Sequence, residues 1–309
     1  MRGSTAPNSG RNEEDHIMKK CLALILAGVL TLGMTACGST QTVAEAESTG
    51  TKETTQATET AAEGTAAEAE RTKLVVGFDA EFPPYGFMDD NGEYTGFDLD
   101  LAQEVCNRRG WELVKQPIDW DAKDMELSSG AIDCIWNGFT INGREDDYTW
   151  SVPYVDNSQV FIVSADSGIS KKEDLAGKTV GVQKDSSALA ALEDKENQEN
   201  LDLAASFKDL VQYSDYNMGF MDLESGAIDA LAIDIGVANY QLSSRGDAYV
   251  ILPDQLSSEQ YAIGFLKGND ALKDEVETTL MEMVSDGTFA EIAEKYKSYG
   301  LVENVCLGK

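Results

Sequence analysis

Leu127-Ser128-Ser129-Gly130-Ala131-Ile132-Asp133 is repeated, almost letter for letter, as Leu223-Glu224-Ser225-Gly226-Ala227-Ile228-Asp229. Each copy closes a helical stretch on a glycine, which takes the left-handed C′ conformation at no steric cost. Each then enters an apolar run, Ile132–Trp136 in the first copy and Ile228–Ile233 in the second. A helix feeding a buried strand is the unit of a mostly parallel α/β sheet. The repetition therefore predicts two α/β lobes of similar build.

The flanking sequence supplies the rest of such lobes. Leu74–Phe78 reads as a strand running into Asp79, and Asp89-Asp90-Asn91-Gly92 as a tight turn. Phe97, Leu101, Val105 and Cys106 form a helical stripe that stops at Gly110. Val180–Gln183 is a strand, and Ser186-Ser187 can cap a helix over Ala188–Asp194. The stretch Asp270–Tyr299 predicts two helices broken at Asp286-Gly287.

In open α/β sheets ligands lie beyond the carboxyl ends of the strands. The predicted strand exits carry Asp79, Asn137-Gly138-Phe139-Thr140, Asp185-Ser186-Ser187 and Asp234, with Arg144 just downstream of the second. One guanidinium, several hydroxyls and one carboxylate suit a zwitterion. The arginine fork takes a carboxylate through two parallel hydrogen bonds, the helix starting near Ser186-Ser187 adds amide donors, and Asp234 takes an ammonium. Each residue also has a plainer reading. Arg144 could pair with Glu145 or Asp146 on the surface, Asp234 could cap the following helix, and Asp79 could brace its own loop. The run Asp119, Asp121, Asp124 reads as helix N-terminal charge rather than a calcium site.

Composition prunes the function classes. The 309 residues are 42% hydrophobic, enough for two domains. The formal net charge of −31 argues against nucleic acid and anionic lipid as partners and for a monomer. The only histidine is His16, which falls in a leader expected to be removed. A mature chain without histidine has no Ser-His-Asp triad, no Cys-His pair and no His-ligated metal. No metal and no cofactor is expected. Cys106 on a helix stripe and Cys134 in an apolar run read as buried thiols.

Met18-Lys19-Lys20, the apolar run Cys21–Leu32 and the small residues Thr35-Ala36 before Cys37 have the layout of a secretory signal. The apolar run is too short for a membrane-spanning helix. Residues 1–17 read as a tag-like extension and 18–36 as the signal peptide. Residues 37–72, rich in Thr, Ala and Glu and free of aromatics, read as a flexible acidic tether. Leu32-Gly33-Met34-Thr35-Ala36-Cys37 resembles a bacterial lipobox, which implies cleavage before Cys37 and lipid on its thiol.

Gly77-Phe78-Asp79-Ala80-Glu81-Phe82-Pro83-Pro84-Tyr85-Gly86-Phe87, followed by Gly96-Phe97-Asp98-Leu99-Asp100, resembles the opening signature of the polar amino-acid-binding proteins of bacterial ABC importers, solute-binding family 3. The resemblance runs from about Lys73 to Gly300. It implies the type II periplasmic-binding-protein-like fold: two lobes, a ligand cleft between them and a two-strand hinge. The lobes would be 73–158 with 262–309, and 159–261, with crossings near Asp156–Ile162 and Tyr261–Phe265.

The resemblance also implies roles. Thr140 and the Gly138 backbone, beside Asn137, would hold the α-amino and α-carboxylate groups, and Arg144 would clamp the carboxylate. Ser187, with Ser186 beside it, would add a hydroxyl from lobe two, and Asp234 would take the ammonium. Phe82 and Trp120 would sandwich the ligand side chain, and Asp79 would read it; Trp120 could equally be core packing. Two departures stand out. The loop Ile141-Asn142-Gly143 is one residue shorter than the family pattern, and Asp185, expected to cap its own helix, stands where glycine is commoner.

The function implied is an extracytoplasmic, lipid-anchored binding protein, not an enzyme, that captures a polar or cationic L-amino acid and serves ABC permease subunits. The alternatives are a dehydratase-like enzyme on the same fold, for which Asp79 and Glu81 offer carboxylates but no compelling acid–base pair, and an amino-acid sensor acting with a separate signalling partner.

Overall fold

The computed structural model describes residues 71–309. The expected leader, signal peptide, lipidated Cys37 and nearly all of the tether lie outside the described residues. Among the described residues no helix is long and apolar enough to cross a membrane.

The repeated heptapeptides build the same local structure twice. Helices Lys123–Ser129 and Tyr216–Ser225 end on Gly130 (φ 77°) and Gly226 (φ 75°). The N–H of Gly130 donates to the carbonyls of Glu126 and Leu127, and that of Gly226 to those of Asp222 and Leu223. The closing aspartates match as well. Asp133 Oδ2 accepts the N–H of Val75 at 2.7 Å, and Asp229 Oδ2 accepts the N–H of Thr179 at 2.8 Å. Each carboxylate thereby ties its turn to the neighbouring parallel strand. The isoleucines of the copies pack against glycines in those strands: a Cβ on Gly77 would meet Ile132 Cδ1 at 2.4 Å, and one on Gly181 would meet Ile228 Cδ1 at 2.6 Å.

Two sheets result. The first has the order Glu112–Pro117, Lys73–Phe78, Cys134–Ile135, Gly264–Phe265, Thr149–Trp150. The second has the order Asp209–Tyr213, Thr179–Gln183, Ala230–Asp234, Val155–Ser164, Tyr249–Ile251. Lys73–Phe78 is parallel to both its neighbours, and Thr179–Gln183 is parallel to both of its own. Their central residues are apolar and buried because helices cover both faces. Helix Phe97–Arg109 buries its predicted stripe and ends on Gly110. The C-terminal helices Asp270–Asp286 and Thr288–Glu294, broken at Gly287 (φ 89°), return to pack on it, with Phe97 edge-on to Phe289 at 5.9 Å. Cys106 and Cys134 are buried, unbridged thiols, as expected, and burial pushes Cys106 up to about 12. Cys306 is also unbridged and half-buried.

The two sheets are joined by Val155–Ser164 and Ser257–Tyr261, which pair antiparallel with Asn157 opposite Glu259 and Gln159 opposite Ser257. The returning strand lies just before the expected Tyr261–Phe265, and Gly264–Phe265 already belongs to the first sheet. The polar run Ser257-Ser258-Glu259-Gln260 gives no apolar strand signal. It is strand because it pairs with the crossover strand beside it.

Gly130→Ala and Gly226→Ala should each lower stability by roughly 1–2 kcal/mol, the cost of holding an L side chain in the left-handed region. A Cβ at either position meets nothing within 4 Å, so the loss is conformational. Thermal melts of the two single variants should show similar drops in midpoint.

Candidate functional site

The strand exits converge on one cleft between the sheets. A cavity there is walled by Phe82, Trp120, Gly138, Thr140, Gln183, Ser186, Ser187 and Asp234, and encloses about 10 Å³. That is room for no more than about one water molecule. Most of the residues singled out in the sequence thus meet at one point. Arg144 lies beside them, bonded to two of the walls. Asp79 borders an adjoining cavity, and Asn137 lies behind the site.

Gly138 has φ 54°, and a Cβ there would meet the rings of Phe82 at 2.7 Å and Tyr261 at 3.0 Å. Its N–H is spent on Asp98 Oδ2 at 2.6 Å, which also accepts from the Tyr154 hydroxyl at 2.7 Å. What Gly138 offers a ligand is therefore its carbonyl. Thr140 Oγ1 donates to Glu259 Oε1 at 3.0 Å, which commits its proton and leaves oxygen lone pairs for a donor. Asn137 Oδ1 accepts the Asp79 N–H at 3.0 Å, and so braces the loop.

The short loop before Arg144 folds as a turn, with the Arg144 N–H donating to the Ile141 carbonyl at 3.0 Å and Gly143 at φ 79°. It sets the guanidinium 5.5 Å from the Phe139 ring centroid and across the cleft. Nη1 donates to Ser187 Oγ at 3.2 Å and to the Thr140 carbonyl at 3.3 Å, and Nη2 to the Asp185 carbonyl at 3.3 Å. Among the described residues no ion pair joins Arg144 to Glu145 or Asp146. Asp185 differs from expectation. Ser186, not Asp185, caps the helix Ser187–Glu193, accepting the Leu189 N–H at 3.2 Å. Asp185 sits at φ 53° and pairs instead with the buried Lys123 of the other lobe, whose ammonium lies 5.1 Å from the Trp120 ring centroid. A carboxylate beside the cleft's anion end is thereby neutralised. Trp120 also stands edge-on to Phe139 at 5.5 Å, so it is cavity wall and packing at once.

Asp234 does not cap its helix. Its carboxylate is ringed by donors: Asn157 Nδ2 at 2.9 Å, Gln159 Nε2 at 2.7 Å and the Tyr261 hydroxyl on Oδ1, and the Tyr216 hydroxyl at 3.0 Å on Oδ2. The same two amide nitrogens each donate to Glu259 Oε1 at 2.7 Å. Burial raises the Asp234 carboxyl above its usual range, and burial together with the Asp234 charge pushes Glu259 up to about 7. Asp79, whose Oδ1 accepts the Glu81 N–H at 2.8 Å and Oδ2 the Gln183 amide at 2.7 Å, is raised by burial to about 6. Asp98 is raised by burial to about 7.

Beyond Trp120 the adjoining cavity, of about 400 Å³, is walled by Asp79, Glu81, Asp119, Glu126 and Asp215 with apolar and small polar neighbours and no lysine or arginine. Taken whole, the cleft presents oxygen acceptors at Asp234, Thr140 and Gly138, donors at Arg144, Ser187 and Ser186, two aromatic faces, and an acidic annex. That arrangement is complementary to a molecule with a cation and an anion side by side.

Several members of the site escaped sequence reasoning. Gln183, Tyr216 and Lys123 gave no motif. Asn157, Gln159 and Glu259 had a signal that could have been read: polar residues inside what must be a buried crossover strand, where each needs a partner.

Residues 74–299 match the model of the bacterial extracellular solute-binding proteins, family 3. The chain is 30% identical over 230 residues to the L-cystine-binding protein TcyJ of Escherichia coli, covering 74% of this chain and 83% of that one. It is 28% identical to the arginine-binding extracellular protein ArtP of Bacillus subtilis, covering 90% and 98%. A substrate-binding protein of an ABC uptake transporter from Streptococcus pneumoniae, solved with bound histidine, superposes with a TM-score of 0.68 at 36% identity, covering 72% of this chain and 92% of that one.

The raised carboxyls predict a pH dependence of stability. Glu259, ordinarily near 4.5, and Asp98, ordinarily near 3.8, keep their protons in the folded state up to about 7. Their stabilising contribution is complete below the unfolded values and is lost as pH rises through the folded ones. The ligand-free melting midpoint should therefore fall between pH 5 and pH 8, and should fall less in Glu259→Gln, as read by thermal melts across that range.

Proposed function

The chain belongs to the bacterial extracellular solute-binding proteins, family 3, and from that we propose that it captures an L-amino acid with a polar or cationic side chain between its lobes and presents it to the permease subunits of an ABC importer. The observation that carries this reading is the opposed chemistry of the cavity's two ends. Acceptors stand at Asp234, Thr140 and Gly138, and hydrogen-bond donors at Arg144, Ser187 and Ser186. Asp234 takes the α-ammonium, with the Thr140 oxygen and the Gly138 carbonyl completing its shell. Arg144 clamps the α-carboxylate in a fork, joined by the hydroxyls of Ser187 and Ser186. Phe82 and Trp120 flank the side chain. Asp79, held in place by Asn137 and Gln183, reads its far end, and the acidic annex beyond supports a cationic group there.

The lobes are 73–158 with 262–309, and 159–261, and they close about the two crossover strands. Contacts between the lobes hold the closed form: Arg144 to Ser187, Lys123 to Asp185, Gln183 to Asp79 and the Phe82–Tyr216 ring pair at 5.9 Å. Ligand entry requires these to part, so capture proceeds by hinge opening and closure. The protein acts by stoichiometric binding rather than turnover. It works as a monomer, tethered at the cell envelope by lipid on Cys37 and the acidic segment that follows. The binding names of its relatives, for cystine, arginine and histidine, support an amino acid as the ligand class.

A thermal-shift panel of the common amino acids with cystine and ornithine tests the reading. A ligand at a hundred times its dissociation constant stabilises the folded state by about 2.7 kcal/mol, a shift a melt resolves. Arg144→Ala and Asp234→Ala should each weaken binding by at least about 2 kcal/mol, roughly 30-fold, because each leaves an opposite ligand charge unpaired in a closed site. No shift with any amino acid, from folded protein, would overturn the proposal. Cys37→Ala expressed in a bacterial host should move the protein from the membrane to the soluble fraction, and persistent membrane association would rule out the lipid anchor.

A further inference from the structure

Glu259 stands on the returning crossover strand, hydrogen-bonded to Thr140 and sharing donors with Asp234, yet none of the ligand contacts proposed above uses it. Resting on that reading of the cleft, the geometry points to Glu259 as a positioning residue for the cation end of the site: with Asp234 it forms a buried carboxyl pair that shares one proton in the empty protein, and the ligand's ammonium displaces that proton on capture.

The argument begins with the donors. Gln159 Nε2 and Asn157 Nδ2 each give one N–H to Asp234 Oδ1 and the other to Glu259 Oε1. Two shared nitrogens hold those oxygens within two hydrogen-bond lengths of each other. The remaining donors are hydroxyls: Tyr261 and Tyr216 on Asp234, and Thr140 on Glu259. Among the described residues no lysine or arginine donates to either carboxylate. Asp234 and Glu259 are 4% and 7% exposed. Two like charges this close, out of water and without a cation, cannot both be held, so the pair retains a proton. The upward displacement of both carboxyls by burial and mutual charge agrees with this.

The groups facing the pair from each packed element are Asp234 from its strand, Tyr216 from its helix, Tyr261 from the returning strand, Tyr85 from the first lobe and the amides of Asn157 and Gln159. Burial lifts all three tyrosines well above their ordinary value, so they stay neutral through the physiological range. Of the groups hydrogen-bonded in this cluster, only the two carboxyls of the pair are left to titrate there. An ammonium arriving at Asp234 supplies the missing cation. It brings one positive charge, one proton leaves to solvent, and the net charge of the pocket is unchanged. Glu259 acts through its neighbours: it accepts the hydrogen bond of the Thr140 hydroxyl, which turns that oxygen's lone pairs to the ligand, and it sets the protonation of Asp234.

The expected result is binding that strengthens with pH. With L-arginine and L-glutamine as probes, the dissociation constant should fall by up to about tenfold per pH unit below neutrality and level off above it, the slope for one linked proton. Calorimetry in two buffers of different ionisation enthalpy should detect release of up to one proton per ligand at pH 6.5. Glu259→Gln should flatten the slope and abolish the release, and Glu259→Asp should restore both. Wild-type binding with no proton release and no pH slope would overturn the inference while leaving the amino-acid site standing. Release that survives in Glu259→Gln would do the same. Absence of binding by every amino acid of the thermal-shift panel at pH 8 would overturn both. Should Glu259→Gln fail to fold, the wild-type buffer comparison alone decides.

Discussion

Asp234 is the point on which the cleft is organised. A carboxylate this deeply buried is tolerable only if its lone pairs are met, and here they are met from four places in the chain. Asn157 and Gln159 come from one crossover strand, Tyr261 from the other and Tyr216 from the helix that follows the second parallel strand. Satisfying one buried acid therefore fixes the mutual placement of both crossover strands and the second lobe. The joint between the lobes and the floor of the binding cleft are built from the same hydrogen bonds. A rearrangement of the hinge must be felt at the site, and occupancy of the site must be felt at the hinge.

The cleft exists because the two lobes solve the same packing problem in the same way. In each, an aspartate after a glycine-capped helix anchors the start of a parallel strand, and an isoleucine fills the space that a glycine in that strand leaves open. Equivalent constructions point the carboxyl ends of both sets of strands at a common gap, where loops carry side chains that have no sheet to pair with. Charge is distributed unevenly across that gap. The chain is strongly acidic overall, yet Arg144 and Lys123 are both held at the cleft, one over Phe139 and one over Trp120. Aromatic faces and carbonyl oxygens let these cations sit at a partly buried site. Lys123 also offsets the charge of Asp185 beside Arg144.

Much of this was legible in the sequence, and for a local reason in each case. Gly130 and Gly226 announced helix ends because only glycine suits the left-handed cap. The apolar runs after them announced strands because both faces of a parallel sheet are covered. Gly138, Thr140, Ser186, Ser187 and Asp234 could be placed together because strand exits in such a sheet share one rim, and Phe82 joined them only through the family resemblance. Arg144 lies at that rim with its shortened loop, since the turn Ile141–Arg144 directs the guanidinium across the gap. Asp185 was misread because helix capping is a local habit of aspartate, and nothing local reveals a lysine more than sixty positions away in sequence.

What the sequence by itself determined was the two-lobe α/β plan, its repeat, and the residue types available at the rim, since these follow from periodicity, glycine stereochemistry and the alternation of helix and strand. What only the tertiary structure decided was which polar groups meet. Ser257–Tyr261 is a strand because Val155–Ser164 runs beside it, and that register sets Glu259 opposite Asn157. The donation of the Asn157 and Gln159 amides to both Asp234 and Glu259, the crossing of Lys123 to Asp185 and the commitment of the Gly138 N–H to Asp98 all join residues far apart along the chain. Hydrogen bonds of this kind leave no period and no motif. They arise when the folded backbone brings donors and acceptors together out of water, where each must find a partner.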